Sequence, residues 1–147
     1  MKVRQGFVSN SSSSSFIIIG SGKKVYPLIN DGILIVDSNH GETEFGWDPN
    51  CYYDFESRLN FCYIQTNYGE NKPWLEMLEV VLKKNLSDVQ KIHWLITNDY
   101  DEQHYGYIDH QSSACEGRNT EMFDNTDTLE RFLFRGDSGI KTDNDNH

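Results

Sequence analysis

Short runs of β-branched and aromatic residues alternate with longer stretches in which apolar side chains recur every three or four positions, and these two periods separate strands from helices. Phe16-Ile17-Ile18-Ile19 is continuously apolar and is stopped by Gly20-Ser21-Gly22, and Gly32-Ile33-Leu34-Ile35-Val36 repeats the pattern behind Asn30-Asp31. Both predict buried strands bounded by turns. Residues 42–47 alternate, with Thr43, Phe45 and Trp47 on one side, which predicts a half-exposed third strand. Asp48-Pro49 has the form of a helix start, an acceptor side chain followed by a residue that needs no donor. Tyr52, Phe55, Leu59, Cys62 and Tyr63 follow at helical spacing, so a first helix is predicted from there to about Tyr68.

Asn71-Lys72-Pro73 opens a second helix, in which Trp74, Leu78, Val81 and Leu82 form an apolar stripe and Lys83-Lys84 lie at the end of the dipole that favours cations. Residues 91–97 predict a strand with Ile92, Trp94 and Ile96 on one face, and residues 105–109 another short one. A final helix is predicted over residues 127–135, with Asp127 and Glu130 at capping-box spacing, Leu129, Phe132 and Leu133 facing inward and Gly136 as its C-cap. A last strand covers residues 139–142, and residues 143–147 read as a polar tail. Blocks of strands followed by blocks of helices predict an α+β fold: a single domain over residues 1–147, a mostly antiparallel sheet with about three helices packed on one face.

The 147 residues are 37% hydrophobic but 13% aromatic, so the core is expected to rest on Tyr, Phe and Trp as much as on aliphatics. Trp47, Trp74 and Trp94 each fall on an apolar stripe and read as core, not as a platform for stacking bases. Cys51, Cys62 and Cys115 are odd in number and lack C-x-x-C spacing, which reads as reduced, buried thiols in a cytoplasmic protein. No window approaches the length of a membrane span or a secretory apolar core. The net charge is −10, and the first 36 residues carry four basic groups against one acid, so the body of the domain holds the acidity. Such a balance argues against direct nucleic-acid binding and suits a protein that meets basic surfaces.

The N-terminus runs Arg4-Gln5-Gly6-Phe7-Val8-Ser9-Asn10 into five serines, Ser11 to Ser15, and then into Phe16. With Trp74-Leu75-Glu76-Met77-Leu78-Glu79, Gly106-Tyr107-Ile108-Asp109-His110-Gln111-Ser112 and Thr142-Asp143-Asn144-Asp145-Asn146, this start resembles a group of small, uncharacterised proteins of bacteriophages, prophages and their bacterial hosts. The resemblance implies a phage-related accessory protein in the host cytoplasm and supplies no activity, ligand or catalytic residue. The serine run itself reads either as an ordered, packed segment or as a mobile linker.

Chemistry-bearing residues concentrate in residues 98–112, which hold Asp99, Asp101, His104, Tyr107, Asp109, His110, Gln111 and Ser112 directly after a predicted strand. Asp beside His can fix an imidazole tautomer, and a nearby Ser could serve as nucleophile or ligand. On an extended strand, however, Asp109 and His110 point to opposite faces and Asp109 shares its face with Gln111. The stretch is therefore either a binding site or a polar loop that satisfies its own backbone. His104, His110 and Cys115 match no zinc spacing, and Asp99, Asp101, Asp143 and Asp145 read as solvated acids rather than an oxygen-rich cation site; no metal or cofactor is called for. Gly20-Ser21-Gly22-Lys23-Lys24 is not a phosphate loop, because Ile17 stands where a glycine is needed and Lys24 where a hydroxyl is needed; it reads as a flexible hairpin turn. The leading expectation is an acidic protein that binds a partner, a host or phage protein. The alternative is an enzyme or nucleotide-type ligand binder using residues 98–112.

Overall fold

The computed structural model describes residues 13–46, 48–109 and 112–144. Within them the strands are β1 (Ser13–Ile18), β2 (Ile33–Val36), β3 (Glu44–Phe45), β4 (Asn50–Tyr52), β5 (Lys91–Trp94), β6 (Tyr107–Ile108) and β7 (Gly139–Asn144); the helices are α1 (Phe55–Gln65), α2 (Lys72–Asn85) and α3 (Thr126–Phe134). The α+β class is as the patterning predicts. The strands divide into an antiparallel sheet of order β1-β7-β4 and two parallel pairs, β2-β5 and β3-β6. Both parallel pairs need long crossovers, and α1 and α2 lie in the chain between their strands.

α1 is the central helix: of its eleven residues every one except Glu56 is buried. A helix enclosed on all sides belongs inside the fold and shows no single apolar stripe. It starts later than Asp48-Pro49 suggests. Asn50–Tyr52 is drawn into β4 by pairing with β7, Cys51 opposite Lys141 and Tyr52 opposite Ile140, and the cap is Asp54, whose carboxylate accepts from the Ser57 N–H at 3.0 Å. α2 begins as predicted, with Asn71 capping the Trp74 N–H and Pro73 in the first turn, where no donor is required. α3 is capped by Asn125, which accepts from the Thr128 N–H at 2.8 Å, not by an Asp127–Glu130 box. Nor is Gly136 its C-cap, since Arg135 holds that position and the Gly136 N–H donates to the Lys23 carbonyl.

The core is rich in phenylalanine. Phe45 stands edge-on to Phe61 with ring centroids 5.2 Å apart, and Phe55, Phe123, Phe132 and Phe134 are buried with them. Trp74 stacks on Phe123 at 4.5 Å and Trp94 on Tyr63 at 4.7 Å, so both tryptophans pack against the core while staying partly exposed; Trp47 lies outside the described residues. The strands expected to be wholly buried are not: Phe16 is 47% exposed, and β2 buries Leu34 and Val36 while Ile33 and Ile35 face out. Cys62 is buried, but Cys51 and Cys115 are exposed, against the expectation of three buried thiols.

Residues 20–22 form a pinned turn, not a flexible hairpin. Ser138 Oγ accepts from the Gly20 N–H at 2.7 Å, and the Asp137 carboxylate accepts from the N–H groups of Gly22 and Ser21 at 2.9 and 3.3 Å. A Cβ on Gly20 would lie 2.1 Å from Asp137 Oδ1, which explains a glycine there. Ser13 to Ser15, the described part of the serine run, belong to β1 opposite Asn144, Asp143 and Thr142, so β7 reaches two residues into the stretch read as tail. No helix among the described residues is long and apolar enough to cross a membrane.

Candidate functional site

Residues 99–102 form a local turn, whereas Gly106, Tyr107 and Asp109 donate their N–H groups to the carbonyls of Thr97, Thr43 and Phe45 outside the stretch. Asp99 Oδ1 accepts from the Asp101 N–H at 3.0 Å, the Asp99 carbonyl accepts from Glu102, and both acids are exposed. His104 turns away from them, its Nδ1 3.1 Å from Ser38 Oγ on a different loop. Tyr107 lies on β6, stacked on Tyr105 at 6.5 Å, and Tyr105 in turn meets Tyr100 edge-on at 5.1 Å. Asp109 is 6% exposed and hydrogen-bonds the Phe45 carbonyl through its N–H, while its own carbonyl accepts from Ser112 at 2.7 Å. Ser112 is fully buried, and its hydroxyl has no hydrogen-bond partner among the described residues. His110 and Gln111 lie outside the described residues. The structure thus links Asp99 to Asp101 and Asp109 to Ser112 through backbone N–H groups, while the His104 ring meets Ser38. Among the described residues no three His, Cys, Asp or Glu side chains converge as metal ligands.

Sequence reading did not single out Gln65. Its amide, 1% exposed, donates to the carbonyls of Ser112, Arg118 and Asn119 and accepts from the Ala114 N–H, hanging residues 112–119 from the end of α1. Between that loop, β6 and the turn after α1 lies a mostly apolar cleft of about 170 Å³ that includes Ile64, Tyr68, Tyr107, Ile108 and Cys115. Asn67 and Tyr68 both take positive φ, 57° and 54°, an uncommon conformation for a bulky side chain. The Tyr68 hydroxyl donates to the Gly106 carbonyl at 2.9 Å, and burial, with Tyr105 and Tyr107 adding to it, pushes its pKa up to about 12. Three polar side chains of this cleft are already committed: Gln65 to the loop, Tyr68 to Gly106, Asn67 to Glu70 at 3.0 Å.

A different surface carries unspent apolar area. Val25, Tyr26, Leu28, Ile33 and Ile35 are exposed by 52, 50, 95, 36 and 38%. The Pro27-Leu28-Ile29 segment separates two depressions. One, of about 310 Å³, lies between it and β2, with Asp31, His40 and Glu56 also on its walls. The other, of about 240 Å³, lies between it and residues 85–88, which include Asp88. His40 is held by its Nδ1 against Asp37 Oδ1 at 2.6 Å. The signal available in the sequence was the Val25-Tyr26-Pro27-Leu28-Ile29 run itself, apolar yet with neither strand nor helix period. Comparison with protein-family models, with curated proteins and with solved structures returns no match.

Proposed function

We propose that this chain is a small accessory protein that works by occupying a partner protein, seated on the apolar strip from Val25 through Leu28 to Ile35. The observation that carries the reading is Leu28, 95% exposed on a ridge between two depressions. Scattered apolar residues are ordinary on a surface, but Tyr26, Leu28, Ile33 and Ile35 line the two depressions, and apolar residues gathered around grooves are the form of an interaction site. Covering one leucine contributes about 1.5–3 kcal/mol, which makes the 95% exposed Leu28 the largest single apolar gain such a complex would draw on this strip. Three acids, Asp31, Glu56 and Asp88, stand around the strip, and the chain as a whole carries −10, which steers a basic surface toward it. Taken with the resemblance of the N-terminal motif to phage and prophage proteins, this supports a bacterial host protein as the partner.

The experiment is affinity capture from host lysate at low and high salt, with Leu28→Asp and Tyr107→Ala as paired variants. One stoichiometric partner is expected with the parent chain and with Tyr107→Ala, weakened by salt and lost with Leu28→Asp. Full retention by a folded Leu28→Asp chain sinks the reading.

A further inference from the structure

We infer that the partner is held by strand addition: an extended, basic segment of it pairs with the outer edge of β2. This rests on the partner-binding reading and adds the chemistry of the contact. β5 is the sole strand paired with β2 among the described residues. The ladder between them uses the even positions of β2, with Lys91 N–H donating to the Gly32 carbonyl and Leu95 N–H to the Val36 carbonyl. Along a strand the backbone groups alternate sides, so those of Ile33 and Ile35 point away from β5. The Ile33 N–H is taken by the Asn30 carbonyl at 3.2 Å. Asn30 and Ile33 face each other as an antiparallel bridge, which closes that end of the edge, so the two backbone groups of Ile35 are what remain for a new strand.

The groove supports the same geometry. Ile33, Leu34 and Ile35 all line it. Consecutive strand residues project to opposite faces, so a depression touching all three runs along the edge and not over one face. Pro27, Leu28 and Ile29 form its opposite wall. The sequence Ile33-Leu34-Ile35-Val36 has no Lys, Pro or bulge to blunt the edge, while its four-residue length and the Asn30 bridge at Ile33 confine a new strand to a short stretch around Ile35.

Charge selects the occupant. Asp31 and Glu56 line the groove together with His40, and Lys91 lies opposite Ile33 on β5. A second copy of this chain pairing edge to edge would bring the same carboxylates together, each copy carrying −10. A strand of a partner in which apolar residues alternate with Lys or Arg meets both the isoleucines and the acids, the mode by which extended peptides join sheet edges.

The test uses a synthetic hexapeptide of alternating lysine and valine, the same peptide N-methylated at alternate amides, and a glutamate-valine version, each titrated into the intact chain with amide hydrogen exchange read residue by residue. Saturating lysine-valine peptide should slow exchange at Ile35 by about tenfold or more, and the other two peptides should not. Several results overturn the inference: no binding of the lysine-valine peptide at millimolar concentration, equal binding of the N-methylated form, an Ile35 amide already protected in the free monomer, or a dimer closed through β2. If Leu28→Asp abolishes partner capture while Ile35 exchange never changes, strand addition fails and the partner reading stands. If Leu28→Asp leaves capture intact, it is the partner reading that fails.

Discussion

Arg58, Asn60 and Gln65 are polar, between 1 and 2% exposed, and each donates to three carbonyls outside its own position. Arg58 holds the Asp54, Phe132 and Arg135 carbonyls, which places a cation at the negative end of α3. Burial lowers the pKa of its guanidinium from the ordinary value, and its acceptors offset that desolvation. Asn60 gathers the Asp37, His40 and Glu42 carbonyls, and so fixes the loop that brings His40 to the rim of the β2 groove. Buried carbonyls that lose their donor cost far more than the same bonds contribute when made, because they have already left water. Replacing Gln65 by Leu strands three carbonyls and the Ala114 N–H. The expected loss is about 2–4 kcal/mol in urea unfolding, with faster proteolysis within residues 112–119.

Helix caps make a sharper comparison. Asn125→Ala should cost α3 about 1 kcal/mol, whereas Asp127→Ala, which removes only a charge from the first turn, should cost a few tenths; thermal denaturation of the two variants separates the observed cap from the capping box suggested by spacing. α2 and α3 were legible because each buries one stripe and exposes the rest, so the 3.6-residue period survives in the sequence. The start of α1 was not, because Asp48 and Asp54 are both plausible caps and the choice is made by β7, whose Lys141 lies opposite Cys51. β2 was found, but its exposed face was not, since an edge strand and a buried strand can share one apolar sequence. The sequence leaves residues 98–112 open between a binding site and a polar loop; the bonds at Asp99 and Asp101 are local, as the second alternative expects of that turn. The groove beside β2 was not, because it is assembled from residues 27–35, His40 and Glu56, which no spacing rule links.

One contiguous core, −10 of charge and three unpaired thiols define how the folded chain meets reagents and partners. Burial drives the Cys62 thiol well above the ordinary range, and the side chain is fully enclosed. Ellman's reagent should therefore titrate two thiols, Cys51 and Cys115, in the folded chain and the third only after unfolding; rapid reaction of all three in buffer would contradict the packing of α1.

The polar hooks on α1 also set an order of events during synthesis. Asn60 reaches back 18 to 23 residues, to carbonyls that have already left the ribosome, whereas Gln65 waits for partners 47 to 54 residues ahead and Arg58 for carbonyls 74 and 77 residues ahead. A nascent chain stalled before Phe132 emerges would hold an uncapped guanidinium in its half-built interior, and chaperones and proteases would meet it as an unfinished protein.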